Sequence, residues 1–275
     1  MSPNSMSWRT TTQRPLHHRR SGSGPPYVLI HGLGGEACVW EPVLAGLEPH
    51  HEVIALDLPG FGRSPALPED VTPTPRALAA AVAGLMDELG IATAHVAGNS
   101  LGGWVALELA RAGRARSVTG ICPAGLWGAP PARPGEPPAV RGRAHRTARR
   151  LRPLIPLALL SRRVRRSILS PFVAHPERVP YHAAWRMISS YARATAYDAT
   201  STAMRQSAFA GAAEITVPVT LAFGDRDRLI RPTRFAAPAT RTVILEGCGH
   251  IPMWDDTPAI TELLLETALS DRSAA

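Results

Sequence analysis

The chain has 275 residues, 45% hydrophobic and 19% charged, which suits one large domain with a substantial core and excludes a mainly disordered chain. All 30 basic residues are arginines against 22 acidic ones, a net charge of +8 that leaves nucleic acid or an anionic surface open as partners until the charge is located. Three scattered cysteines exclude a disulfide framework, and no long apolar run occurs; a cytoplasmic protein with neither a signal-type leader nor a transmembrane segment is expected.

In chain order, the first twenty residues are polar and read as frayed or as an edge strand, with a turn over 22–26. Residues 27–31 and 52–56 are short apolar runs bounded by turn residues, the mark of buried strands, and 37–47 between them reads as a short helix. Thr74 is placed to cap a helix that has Pro75 at its first position. Leu78, Val82, Leu85, Met86 and Leu89 recur at helical spacing, and Gly90 closes it. A strand over 94–98, a helix over 101–112 and a strand over 117–122 follow. The alternation resumes with strands over 217–223 and 242–245 and a last helix over 257–269, with Asp255 and Asp256 as its caps. Such alternation predicts an α/β fold whose mostly parallel central sheet is flanked by helices on both faces.

Between 124 and 213 the alternation stops. Arginine, proline and aromatics dominate, with helical stretches over 162–169 and 181–197. The reading is a core of 1–123 (1–24 frayed), an inserted helical cap of 124–213, and a second core part of 214–275. Eleven arginines lie from Arg133 to Arg166 with Glu136 as the one acid, so the excess charge belongs to the insert and nucleic acid is not expected as a partner. The arginines either face water while an apolar side covers the site, or draw in an anionic substrate, a carrier-bound acyl group or an anionic membrane surface. The arginine-only usage and 27 prolines fit a GC-rich bacterial genome.

Gly98-Asn99-Ser100-Leu101-Gly102 joins a predicted strand to a predicted helix, the setting of a nucleophile elbow, where a serine on a strained turn needs neighbours without side chains. A serine nucleophile requires a base and an orienting carboxylate. His17, His18, His50 and His51 are expected to face solvent, His95 to be packed in a strand, and His145, His175 and His182 to belong to the insert. His31 and His250 remain, the first at the end of the first strand and the second on a loop after the last strand. Gly224-Asp225-Arg226-Asp227 also follows a strand, which gives the chain order Ser, Asp, His.

With these motifs in place, the chain resembles a capped member of the α/β-hydrolase superfamily over residues 25–270. The matching pieces are His31-Gly-Leu-Gly-Gly35, Asp57-Leu-Pro-Gly-Phe-Gly-Arg-Ser64, Gly98-Asn-Ser-Leu-Gly-Gly103, Gly224-Asp-Arg-Asp227 and Gly247-Cys-Gly-His-Ile-Pro252. The resemblance implies the α/β-hydrolase fold and a catalytic triad of Ser100, Asp227 and His250, with Asp225 as the alternative acid. It puts the oxyanion hole on the backbone N–H groups of Leu33 and Leu101 and makes the Asp57 loop structural. Gly34, Asn99, Trp127 and Trp185 are the substrate-contact candidates; no cofactor or metal is expected, and Cys122 and Cys248 are packing thiols. Haloalkane dehalogenases and epoxide hydrolases of this fold carry aspartate at the elbow, so Ser100 argues against both. Serine implies cleavage of an ester-type bond in a small, largely apolar substrate. Carbon–carbon bond hydrolases of vinylogous diketones share Gly-Asn-Ser and Cys-Gly-His but tend to have an aromatic residue where this chain has Ile251. A cofactor-free perhydrolase, or a ligand-binding protein on the same fold, stays open, as does the oligomeric state.

Overall fold

A computed structural model describes residues 14–127, 143–232, 237 and 240–270. Seven strands form one sheet: β1 (His18–Gly22), β2 (Pro26–Ile30), β3 (Glu52–Leu56), β4 (Ala94–Asn99), β5 (Ala115–Ile121), β6 (Val219–Gly224) and β7 (Thr240–Leu245). Their order is β1-β3-β2-β4-β5-β6-β7. β1 runs antiparallel at the edge, with His18 opposite Leu56, and the other pairings are parallel.

The period-two pattern of the strands divides the core. Val28, Ile30, Ile54, Leu56 and Val96 face α2 (Pro75–Glu88) and α3 (Leu101–Arg111), where they meet Leu78, Val82, Val105 and Leu109. Tyr27, Leu29, Val53, Ala55 and Ala97 belong to the opposite core, shared with Val43 and Leu47 of α1 (Glu41–Leu47) and Ile260 and Leu264 of α9 (Thr257–Ser270). Thr74 caps α2 as expected, its hydroxyl oxygen accepting from the Ala77 N–H at 3.1 Å.

Between β5 and β6 lie α4 (Arg143–Arg150), α5 (Ile155–Leu160), α6 (Arg162–Leu169), α7 (Tyr181–Arg193) and α8 (Tyr197–Arg205). The helical stretch expected over 181–197 is broken where Ala194 leaves helical geometry at ψ 101°, so α7 and α8 are separate. The insert is fastened to the start of α1 and to the loops that follow β2 and β3. Arg186 pairs with Glu41, Arg193 with Glu36 at 3.3 Å, and the Ala196 N–H donates to the Gly60 carbonyl at 3.3 Å.

Two further expectations change. Asp256 caps α9 through the Ala259 N–H at 3.1 Å, but Asp255 does not share that task. Its carboxylate accepts from the N–H groups of Ala174, His175 and Gly249 at 3.0, 2.7 and 2.8 Å, and so locks the insert to the loop before α9. His51 is buried instead of solvated, edge-on to Tyr27 and against His95, because the turn into β3 folds its ring onto the sheet.

The parallel strands bring the carboxyl ends of β2, β4, β6 and β7 to one edge of the sheet. That edge carries the loops with Leu33, Ser100, Asp227 and His250, the place where open α/β sheets hold their ligands.

Candidate functional site

Ser100 sits between β4 and α3 at φ 55° and ψ −116°, a region that a side-chain-bearing residue rarely occupies. Backbone bonds hold it there. Its N–H donates to the Ile121 carbonyl at 2.9 Å, and its carbonyl accepts from the N–H groups of Gly103 at 3.0 Å and Ala124 at 2.9 Å. The turn closes because its neighbours lack side chains. A Cβ on Gly98 would strike the Gly102 carbonyl and lie 2.5 Å from the Gly103 nitrogen, while a Cβ on Gly102 would strike the Ile30 carbonyl. Gly98→Ala is therefore expected to destabilise the protein by about 3 kcal/mol, read as a lowered urea midpoint with an unchanged slope. Gly84→Ala is the control. It lies inside α2 with open space beyond it, and alanine there should stabilise by about 0.5–1 kcal/mol.

The His250 ring Nδ1 lies 2.7 Å from Asp227 Oδ2, and both side chains are almost fully buried. The other carboxylate oxygen of Asp227 accepts the N–H groups of Leu229 at 2.7 Å and Ile230 at 3.1 Å. Burial pushes the Asp227 carboxyl up, but the His250 ring and these two amides outweigh it and leave its pKa below the ordinary value. A carboxylate facing Nδ1 puts the imidazole proton there and leaves Nε2 as an acceptor. Asp225 does not reach the imidazole. Its Oδ1 accepts the Cys248 N–H at 3.2 Å and braces the loop instead.

Asn99 has its side-chain nitrogen engaged within the protein. Its buried side-chain amide donates to the His250 carbonyl at 2.8 Å and to the Ile121 carbonyl at 3.2 Å, tying the residue before Ser100 to the histidine loop. No local sequence signal marks this, since the partners are far apart in the chain. Cys122, at φ 45°, lies under the same loop, and its sulfur, Asp227 and His250 bring ligand-type atoms within 4.8 Å of one another. Burial, then the nearby Asp227, drives this thiol well above its usual pKa, so it is protonated, and Nδ1 is already held by Asp227. This is a packed thiol against a carboxylate, not a good cation cage.

His31 is the other loop histidine. Its Nε2 accepts the Leu58 N–H at 2.9 Å, so the proton is on Nδ1, which donates to the Gly32 carbonyl at 2.7 Å. Burial holds its pKa below the ordinary value despite Asp57, and it stays neutral as the support of the Gly32–Gly35 turn. That turn lies against the elbow, since a Cβ on Gly32 would come within 3.1 Å of the Ser100 Cβ. Leu33, next to Gly32 in that turn, and Leu101, in the first turn of α3, thus lie on the two segments beside Ser100. Gly34 adopts φ 78° under the insert, where a Cβ would lie 2.7 Å from the Tyr191 ring and 3.4 Å from Tyr197. His145 stacks on Tyr197 at 4.4 Å and meets Tyr191 edge-on, so an aromatic trio roofs this loop. Asp57 holds the N–H groups of Ala37 and Arg63 at 2.7 and 2.9 Å, a structural task. Trp127 is pinned edge-on to Trp104 and donates to the Ser207 carbonyl at 3.0 Å, and Trp185 is exposed on α7.

Residues 27–262 match the sequence pattern of the group described as the Alpha/beta hydrolase family. Epoxide hydrolase EphH of Mycobacterium tuberculosis is 35% identical over 196 residues, which is 65% of this chain and 87% of that protein. Among solved structures, the enol-lactonase from Burkholderia xenovorans LB400 superposes with a TM-score of 0.70 at 25% identity, covering 92% of this chain and 96% of that one. The 2-hydroxy-6-oxo-6-phenylhexa-2,4-dienoate hydrolase of Rhodococcus sp. strain RHA1 gives a TM-score of 0.71 at 23% identity, covering 92% and 94%, which speaks to the fold alone.

Proposed function

This hydrolase belongs to the alpha/beta hydrolase family, and on that premise we propose that it cleaves an ester-type bond of a small, largely apolar substrate through an acyl-enzyme on Ser100. The observation that carries the reading is the His250–Asp227 pair at 2.7 Å, on the same sheet edge as a strained serine. In this reading Ser100 Oγ attacks the carbonyl carbon as His250 Nε2 takes its proton. The developing oxyanion accepts the N–H groups of Leu33 and Leu101, and collapse expels an alcohol that takes the proton back from His250. Water then repeats the sequence on the acyl-enzyme, releasing the acid and restoring Ser100. Residues 124–213 act as the cap in this scheme, a role supported by the contact of Tyr191 and Tyr197 with the Gly34 loop. A cytoplasmic setting fits the three free, buried cysteines.

EphH is named as an epoxide hydrolase, and bond chemistry favours a different reaction here. A carboxylate that opens an epoxide forms an ester, which water can cleave. A serine that opens one forms an ether, which water cannot cleave, so the enzyme would not turn over. Carbon–carbon hydrolysis of a vinylogous diketone is the second reading, favoured by Gly98-Asn99-Ser100 and Cys248-Gly249-His250. The test is an acyl-chain series of p-nitrophenyl esters with a vinylogous diketone and an epoxide beside it, together with a fluorophosphonate probe. The proposal expects label on Ser100 and turnover of the esters. Diketone turnover far above the esters would select the second reading, and an unlabelled Ser100 with inert esters would overturn both.

A further inference from the structure

The arginine-rich stretch of the insert does not fold as a cap with one apolar side. Ile155 and Leu159 of α5 point inward and pack with Ala192 of α7, as a cap helix should. Leu151, Leu154, Leu157 and Leu160 recur every third residue and point outward, with exposures of 50%, 57%, 68% and 62%. Val164 of α6 is exposed beside them. These are five of the ten large apolar side chains that stand exposed among the described residues, gathered within fourteen positions. A short helix apolar on both sides is one whose second side lacks its partner.

The charge around this ridge states what the partner must be. Arg149, Arg150 and Arg152 flank its start, Arg162, Arg163 and Arg166 flank its end, and all six are exposed. The sequence holds no acid between Glu136 and Glu177, and Glu177, itself exposed, is near enough to Arg166 to offset part of that one charge. A protein partner would have to match both an apolar ridge and a cationic rim, whereas an anionic bilayer offers acyl chains under a negative headgroup layer, in the same order. We propose that the 149–166 face docks on an anionic lipid surface, its leucines entering the headgroup–acyl boundary and its arginines resting among the phosphates. Docking would reach the site through one layer of packing, because α5 lies on α7 and α7 carries Tyr191 onto the Gly34 loop.

The test is co-sedimentation of the full chain with phosphatidylcholine vesicles with or without phosphatidylglycerol. Binding is expected to the anionic vesicles and not to the neutral ones, and to fall away near 1 M salt, where the Debye length is about 3 Å. Replacing Arg162, Arg163 and Arg166 by Gln should weaken it by about five-fold per arginine, roughly a hundred-fold together. Leu154→Ser with Leu157→Ser and Leu160→Ser should weaken it at least about ten-fold, with an unchanged melting temperature to certify the fold. Absence of vesicle binding, equal binding to neutral vesicles, or unchanged binding by either triple variant would overturn the proposal. So would a dimer in sedimentation velocity that the leucine variant dissolves and anionic vesicles do not, which would assign the ridge to a second copy. The readout is binding alone, so its failure leaves the assignment of Ser100 untouched.

Discussion

Ser100→Ala and His250→Ala should each lower turnover of an activated ester by about 10³-fold or more, and the double variant should lose little beyond either one. The reason is that in the proposed mechanism neither group works alone. Without the imidazole, Ser100 Oγ keeps its proton and is a poor nucleophile; without the hydroxyl, the imidazole has nothing to deprotonate but water. Steady-state kinetics of the two single variants and the double variant decide the matter. Losses that multiply would mean independent roles and would break the assignment of these residues to one unit.

Asp227→Asn should cost about 10²–10⁴-fold in kcat/KM, and the structure gives the reason atom by atom. Oδ1 of Asp227 receives two backbone N–H groups, from Leu229 and Ile230, so an asparagine there must turn its carbonyl oxygen toward them. Its NH2 group then occupies the place of Oδ2, 2.7 Å from His250 Nδ1, and donates to it. The imidazole proton moves to Nε2, which presents an N–H to the serine where a lone pair is needed. Asp225→Asn keeps an acceptor oxygen for the Cys248 N–H and should cost less than about ten-fold. A reversed ranking of the two variants would move the orienting acid to Asp225.

The sheet was legible because its strands announce themselves by burial on both faces and by glycine, proline and asparagine at their ends. The strand over 52–56 falls where the apolar run placed it, and Thr74 and Pro75 open their helix as capping chemistry requires. The motif residues could be read for the same reason, since each follows a strand and the carboxyl ends of parallel strands share an edge. The insert was harder. Its helices α4 and α5 carry arginine and proline where a core helix carries an apolar stripe, and nothing in the pattern from Leu151 to Leu160 says that one side stays exposed. Long-range side-chain bonds were the other blind spot. Asp255 and Asp256 are equivalent as caps in sequence, and only the amides of Ala174, His175 and Gly249 recruit one of them away. Asn99 is the same case, since a substrate contact and a bond to the His250 carbonyl ask for the same side chain.

That bond from Asn99 to His250 bears on motion as well as on position. Asn99 is joined to Ser100 by a peptide bond and to the His250 backbone by a 2.8 Å hydrogen bond, so a displacement of the elbow carries the imidazole with it. Drift of β4 against β7 becomes a common-mode movement that leaves the spacing between hydroxyl and ring nearly constant. The insert is fastened differently, to Glu36, Glu41, Gly60 and Asp255. Rocking of the insert can then proceed by loosening those outer ties, while Ser100 and His250 remain in step.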